Sequence, residues 1–158
     1  MEYMNNLQFE CIGLKPNGKF PLINTGRDND ISPAFIIKNL NPIAKSIAIT
    51  LDDTSIPGMY GDFNHWIIWN IPPKSNIPAG IPAGAMVSSL DGAVQGIGYG
   101  KNKYAGPNPP KGSHHIYKFD IYVLDSKLSI NYMSRKQQFM NAIKSHVIQH
   151  GSINGVFE

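Results

Sequence analysis

A chain of 158 residues, 42% apolar and 16% charged, has the make-up of one globular domain, 1–158, long enough to bury a core. Its formal charge of +3 is spread without any basic run, which argues against a nucleic-acid track. The single cysteine, Cys11, excludes an internal disulfide and a multi-thiolate metal site, and is compatible with a reducing cytoplasm.

The opening "MEYMNNLQFE" has neither the basic start nor the apolar stretch of a signal peptide. No window approaches the roughly 20 apolar residues of a membrane span, so no stable membrane insertion and a cytoplasmic location are expected. "LQFECIGL" (7–14) alternates as a strand and runs into a "KPNGKF" turn. In 28–40, Pro33 biases Ser32 toward extended backbone and "AFII" reads as a short strand. "AKSIAITLDD" (44–53) is a strand with Ile47, Ile49 and Leu51 on one face. A loop over 54–64 leads to "HWIIWNI" (65–71), an apolar strand expected to be buried on both faces.

Four prolines without any period make 72–86 a long surface connection. Residues 87–105 read as irregular, and so long an irregular stretch in a compact domain points to function. "IYKFDIYVLD" (116–125) is the clearest strand, with Tyr117, Phe119, Ile121 and Val123 on one face. The one helix is expected over 134–148, with Ser134 as N-cap, Gln137 completing a capping box, and an apolar stripe of Phe139, Ile143 and Val147. "SINGVFE" (152–158) adds a last strand. The sum is a mainly β, sandwich-like domain with one late helix.

Polar groups cluster at strand ends. Asp53 closes one strand, His65 opens the next, and His114 and His115 precede a third behind the stiff loop "GPNPPKG" (106–112). If the strands are neighbours, an acid and imidazoles meet at one edge. Trp66, Trp69, Tyr104 and Tyr117 are candidate walls, although the tryptophans serve equally well as core. Such a hollow suits a phosphate-like anion: histidines donate hydrogen bonds and can be protonated near neutral pH, and a glycine-rich loop can aim N–H groups at the ligand. Prolines lower the ordering cost of that loop. His114 and His115 point to opposite faces of extended backbone, so one of the pair lines the hollow.

In order along the chain, "NDISPAF", "DTSIP", "FNHWIIWNIP", "QGIGYGKNKYAGPNPPKGSHHIYKFDIYVLD" and "SHVIQHGSINGVFE" resemble successive motifs of the phosphatidylethanolamine-binding protein family, in its prokaryotic Raf-kinase-inhibitor-like branch. The resemblance implies a large central antiparallel sheet, a smaller sheet packed on it, one C-terminal helix and an anion pocket. By position it assigns Asp53, His65, Gly106, Asn108, Pro109, Pro110, His115 and Tyr117 to that pocket, and selects His115 over His114. This chain departs from the pattern at Ser55, where an acid is usual, at Ile116, where an arginine is usual, and at Asn108, where many prokaryotic members have cysteine.

The resemblance implies a binding protein with no catalytic residues, no metal and no cofactor. Its ligand would be a phosphorylated small molecule or a phospholipid head group, with a partner kinase or protease and a homodimeric state as further expectations. Two alternatives stand beside it. One is a metal-dependent hydrolase using Asp53, His65 and His115. The other is an interaction protein with a vestigial pocket, using loop 72–86 as its interface.

Overall fold

The computed structural model describes residues 6–58 and 61–158. Its strands are β1 (Phe9–Cys11), β2 (Gly18–Lys19), β3 (Phe35–Ile37), β4 (Ser46–Gly58), β5 (Gly61–Ile71), β6 (Asn76–Ile77), β7 (Met86–Val87), β8 (Ala93–Gln95), β9 (His115–Leu124) and β10 (Val147–Phe157). One helix, α1 (Lys136–Ile143), precedes β10. A seven-stranded sheet runs β2-β10-β9-β4-β5-β8-β7, and a three-stranded sheet runs β1-β3-β6. All pairings are antiparallel except β2 with β10. The expected mainly β sandwich with a late helix is therefore the observed architecture.

Side-chain alternation sorts the large sheet into two faces. Ile47, Ile49 and Leu51 of β4 and Tyr117, Phe119, Ile121 and Val123 of β9 turn toward the small sheet and pack with Phe35, Ile37 and Ile77. Phe119 sits between Phe20 and Phe35, with centroids 5.8 and 5.2 Å away. Truncating such a ring costs about 3–5 kcal/mol. The opposite face carries Ala48, Ile67, Trp69 and Tyr122, covered by Phe139 and Ile143 of α1. There the Lys136 ammonium reaches Asp52 at 2.6 Å, tying the start of the helix to the sheet. No helix among the described residues is long and apolar enough to cross a membrane.

Several expected boundaries move. The helix starts at Lys136, with Arg135 rather than Ser134 at its N-cap and Gln138 rather than Gln137 accepting the cap N–H at 2.9 Å. The reason is tertiary: Ile97 N–H donates to Ser134 O and residue 97 bridges to Arg135, which holds 134–135 extended. The helix ends at Ile143, the left-handed backbone of Ser145 (φ 69°) follows, and Val147 joins β10. The expected loop over 54–64 is largely strand, because β4 and β5 stay paired out to Gly58 and Gly61. The segments read as connection and irregular loop contain β6, β7 and β8.

Candidate functional site

The register of β4, β5 and β9 brings the strand-end polar groups together. Asp53 pairs with Phe63 on one side and with Tyr117 on the other. In β5 the ladder slips: Leu51 faces Trp66 while Asp52 faces Asn64, leaving His65 as the extra residue of a bulge. Strict alternation would turn His65 to the helix face with Ile67 and Trp69. The bulge re-aims it toward the small-sheet side, where it meets Tyr117 (centroids 5.5 Å). Asn64 pins the irregularity, its amide donating to Leu51 O, Asp52 Oδ1 and Trp66 O.

The result is a hollow of about 550 Å³, lined by all eight residues assigned to it from the sequence: Asp53, His65, Gly106, Asn108, Pro109, Pro110, His115 and Tyr117. His115 Nδ1 lies 2.6 Å from Asp53 Oδ2, and Asp53 Oδ1 accepts the Ser55 N–H at 2.9 Å. Asp53 is 1% exposed, so both of its interactions are shielded from water. His65 Nδ1 lies 3.0 Å from Ala105 O. A carbonyl only accepts, so Nδ1 carries the proton and neutral His65 offers Nε2 as a lone pair. Burial lowers the His65 pKa, opposed by the Ala105 hydrogen bond and the Asp53 charge. The Tyr117 pKa rises, chiefly by burial and then by the Asp53 charge, so its phenol keeps its proton. His114 is exposed, 3.8 Å from Glu158, and is absent from the lining.

The proline-rich loop is held from outside. Gly106 N–H donates to Asp30 Oδ1 at 2.7 Å, Gly26 N–H donates to Pro107 O, and an Arg27 nitrogen donates to Pro109 O at 2.6 Å. Gly106 has no room for a side chain: a Cβ there would sit 2.0 Å from Asn24 O. Ser55, standing where an acid is usual, accepts the Ile116 N–H instead of facing the hollow.

Three expected walls are elsewhere. Trp66 is core, its Nε1 donating to Gln95 Oε1 at 2.8 Å, and Trp69 packs against Phe139 on the helix face. Tyr104 is buried with its hydroxyl on Asn24 O. The aromatic walls are Phe63 and Tyr99, the latter stacked on His65 at 5.3 Å, with Tyr117 beneath. The sequence reading also missed Asp30 and Lys103 in the lining. Tyr99 and Lys103 lie in the irregular 87–105 stretch, whose poverty of regular structure was their only signal. Asp30 stands three residues before Pro33 and takes a left-handed backbone (φ 57°).

A family model described as phosphatidylethanolamine-binding protein matches residues 12–158. A UPF0098 protein of Pyrococcus abyssi is 39% identical over 131 residues, covering 82% of this chain and 72% of the relative. One from Archaeoglobus fulgidus is 39% identical over 141 residues, covering 89% of this chain and 47% of the relative. Among solved structures, the phosphatidylethanolamine-binding protein homologue CT736 of Chlamydia trachomatis superposes with a TM-score of 0.82 at 28% identity, covering 98% of each chain. YbcL of E. coli, described as a member of the mammalian family, has a TM-score of 0.82 at 24% identity, covering 96% of this chain and 98% of its own.

Proposed function

Because the chain belongs to the phosphatidylethanolamine-binding protein family, we propose that its hollow binds a small anion, the phosphate of a phosphorylated metabolite or of a phospholipid head group, and that the protein works by binding rather than by catalysis. The observation that carries this reading is the pair of oriented imidazoles. His115 is fixed through Nδ1 by Asp53 and His65 through Nδ1 by Ala105 O, so the Nε2 edge of each remains for a ligand. Gly106 and Asn108 line the hollow from the loop, which Pro109 and Pro110 stiffen.

One feature weighs against the metal-dependent hydrolase. The Asp53 oxygens are engaged by His115 and the Ser55 N–H, which makes Asp53 an orienter of His115 rather than a third ligand beside it. In this reading the protein acts in the cytoplasm as a homodimer, and ligand occupancy controls a partner kinase or protease.

The test is a thermal-melt titration with inorganic phosphate and phosphoethanolamine. A ligand at a hundredfold its dissociation constant adds about 2.7 kcal/mol to stability. The His65→Ala, His115→Ala double variant is expected to lose the shift. Stabilisation that persists in that variant would place the anion elsewhere and overturn the reading.

A further inference from the structure

Beside the first hollow lies a second, of about 300 Å³, lined by Asn29, Asp30, Ser32, Gly80, Ala83 and Lys103 among others. Asp30 and Lys103 line both cavities and form their common wall. The two residues carry opposite charges on that shared wall. The Lys103 ammonium favours the charged form of the Asp30 carboxyl.

Unusual backbone holds Asp30 and leads into Lys103. Asp30 adopts φ 57°, and Lys103 follows two consecutive left-handed residues, Lys101 (φ 48°) and Asn102 (φ 60°). Such conformations in non-glycine residues persist where the surroundings enforce them, and they gather at binding sites. Here the enforcement is visible. Asp30 is tied through Oδ1 to Gly106, the Asn102 amide donates to Gln95 O at 2.6 Å, and Tyr104, next to Lys103, is anchored on Asn24 O. Deeper in the second hollow, Ser32 is 1% exposed. It accepts the Ile81 N–H through Oγ and keeps its own hydroxyl hydrogen to donate.

The charges in the first hollow also leave something to be matched. With neutral histidines, its side chains carry the Asp53 and Asp30 carboxylates against one ammonium, Lys103. A bare phosphate leaves Asp30 facing a second anion. A ligand that brings its own cation to Asp30 removes that repulsion, and a carboxylate on the same ligand gives Lys103 a partner.

We propose that the two hollows form one bipartite site for a phosphomonoester with a zwitterionic end. The phosphate lies between His65 and His115, the ligand ammonium on Asp30, and the ligand carboxylate on Lys103, with Ser32 and Asn29 lining the space around that end. The chemical class is a free O-phosphorylated amino acid. The inference rests on the anion-binding reading of the first hollow and goes beyond it by assigning the second hollow and its ligand chemistry.

The test uses four probes at pH 7, measured by calorimetry on the full chain: methyl phosphate, phosphoethanolamine, phosphoglycolate and O-phosphoserine. They present the phosphate with neither group, the ammonium, the carboxylate, and both. O-phosphoserine is expected to bind about tenfold tighter than methyl phosphate, about 1.4 kcal/mol. The readout in each variant is affinity relative to methyl phosphate, so a general loss of anion binding cancels. Asp30→Asn should erase the gain from the ammonium, Lys103→Gln the gain from the carboxylate, and Ala83→Phe, which fills the second hollow, should reduce both. Four probes binding within twofold of one another, or gains that survive these variants, overturn the bipartite site while leaving the anion reading intact. If no probe binds a protein that still melts cooperatively, the anion reading itself fails and this inference fails with it.

Discussion

His115 Nδ1 stands 2.6 Å from Asp53 Oδ2, at the bottom of a hollow where Asp53 is almost wholly shielded from water. The two residues are 62 positions apart and meet because β4 and β9 are paired neighbours in the sheet. The carboxylate fixes which imidazole nitrogen is inside, and therefore which edge faces a ligand. Asp53→Ala should weaken phosphate binding about tenfold or more, the usual scale for losing an orienting partner. It should also destabilise the fold by about 1–3 kcal/mol, because His115 Nδ1 and the Ser55 N–H lose their acceptor. Calorimetric titration with phosphate, alongside thermal melts, checks both. Unaltered affinity in a variant that folds would remove Asp53 from the site.

Phosphate binding should be linked to proton uptake. Burial lowers the His65 pKa, and with Nδ1 committed to Ala105 the neutral ring points a lone pair, not a donor, at an incoming anion. Either His65 or the phosphate must therefore bring a proton. Affinity is expected to rise as pH falls from 8 to 6, and calorimetry in buffers of different ionisation enthalpy should register net uptake. For the empty protein the sign is opposite. The unfolded chain takes up a proton near pH 6.5, while folded His65 resists it until lower pH. This residue's contribution to stability is thus fully present above about pH 6.5 and declines below it. Melts from pH 7.5 to 5.5 should fall, less steeply with saturating phosphate, and His65→Gln should remove the difference.

Asp30 carries an opposing sign. Its pKa is raised, mainly by burial, despite the Gly106 hydrogen bond and the Lys103 and His65 charges. A carboxyl whose folded pKa is raised favours the fold at low pH, and that contribution disappears as pH rises through the folded value. At pH 7 the charge at Asp30 is a liability, whereas its Oδ1 remains useful to Gly106. Asp30→Asn keeps an acceptor and loses the charge, so its melting temperature at pH 7 should equal or exceed that of the parent by about 2 °C. Asp30→Ala loses the acceptor as well and should melt lower. Asp30→Asn melting well below the parent would contradict this account.

Gly106 tests the loop directly. Any side chain there collides with the Asn24 carbonyl and, within 3 Å, with the Tyr104 hydroxyl and the Asp30 carboxylate. Gly106→Ala should cost about 1–3 kcal/mol. It should also abolish phosphate binding, because the loop can make room only by leaving Asp30. Gly112, with open space around its Cβ but φ 86°, provides the contrast. Gly112→Ala should carry backbone strain of roughly 1 kcal/mol and leave Gly106 undisturbed.

These residues differ in how visible they are before the structure. The strands of the central sheet show themselves by alternation, as in Ile47-Ile49-Leu51 and Tyr117-Phe119-Ile121-Val123, because one face of each packs on the small sheet. Asp53 and His115 announce themselves as polar groups at strand ends, and the choice of His115 over His114 comes from the motif containing Tyr117. What stays hidden is set by contacts distant in the chain. The bulge that turns His65 into the hollow depends on the pairing of Leu51 and Asp52, and no pattern within "FNHW" signals it. The helix start depends on Ile97 holding Ser134. Asp30 and Lys103 lie in segments with no periodicity, and only the fold brings them to one wall.

Arg27 is a further case of that kind, and it carries the last prediction. One nitrogen of its guanidinium donates to Pro109 O and another to the Glu158 backbone oxygen, while the group lies 4.9 Å from the centre of the Phe157 ring. Phe157 pairs with His115 across β10 and β9, so Arg27 joins the anion loop to the strand end that carries the histidine. A planar fork can serve two carbonyls and a ring face together, whereas a lysine ammonium has neither the span nor the plane. Arg27→Lys should therefore loosen Pro109 without emptying the core. The expected outcome is a threefold to tenfold weaker phosphate affinity, about 0.7–1.4 kcal/mol, carried mainly by faster dissociation. The melting temperature of the empty protein should shift by less than about 3 °C. Stopped-flow dissociation paired with melts separates the possibilities: a lower melting temperature with unaltered phosphate kinetics would make Arg27 a structural clamp on the terminal strand and nothing more.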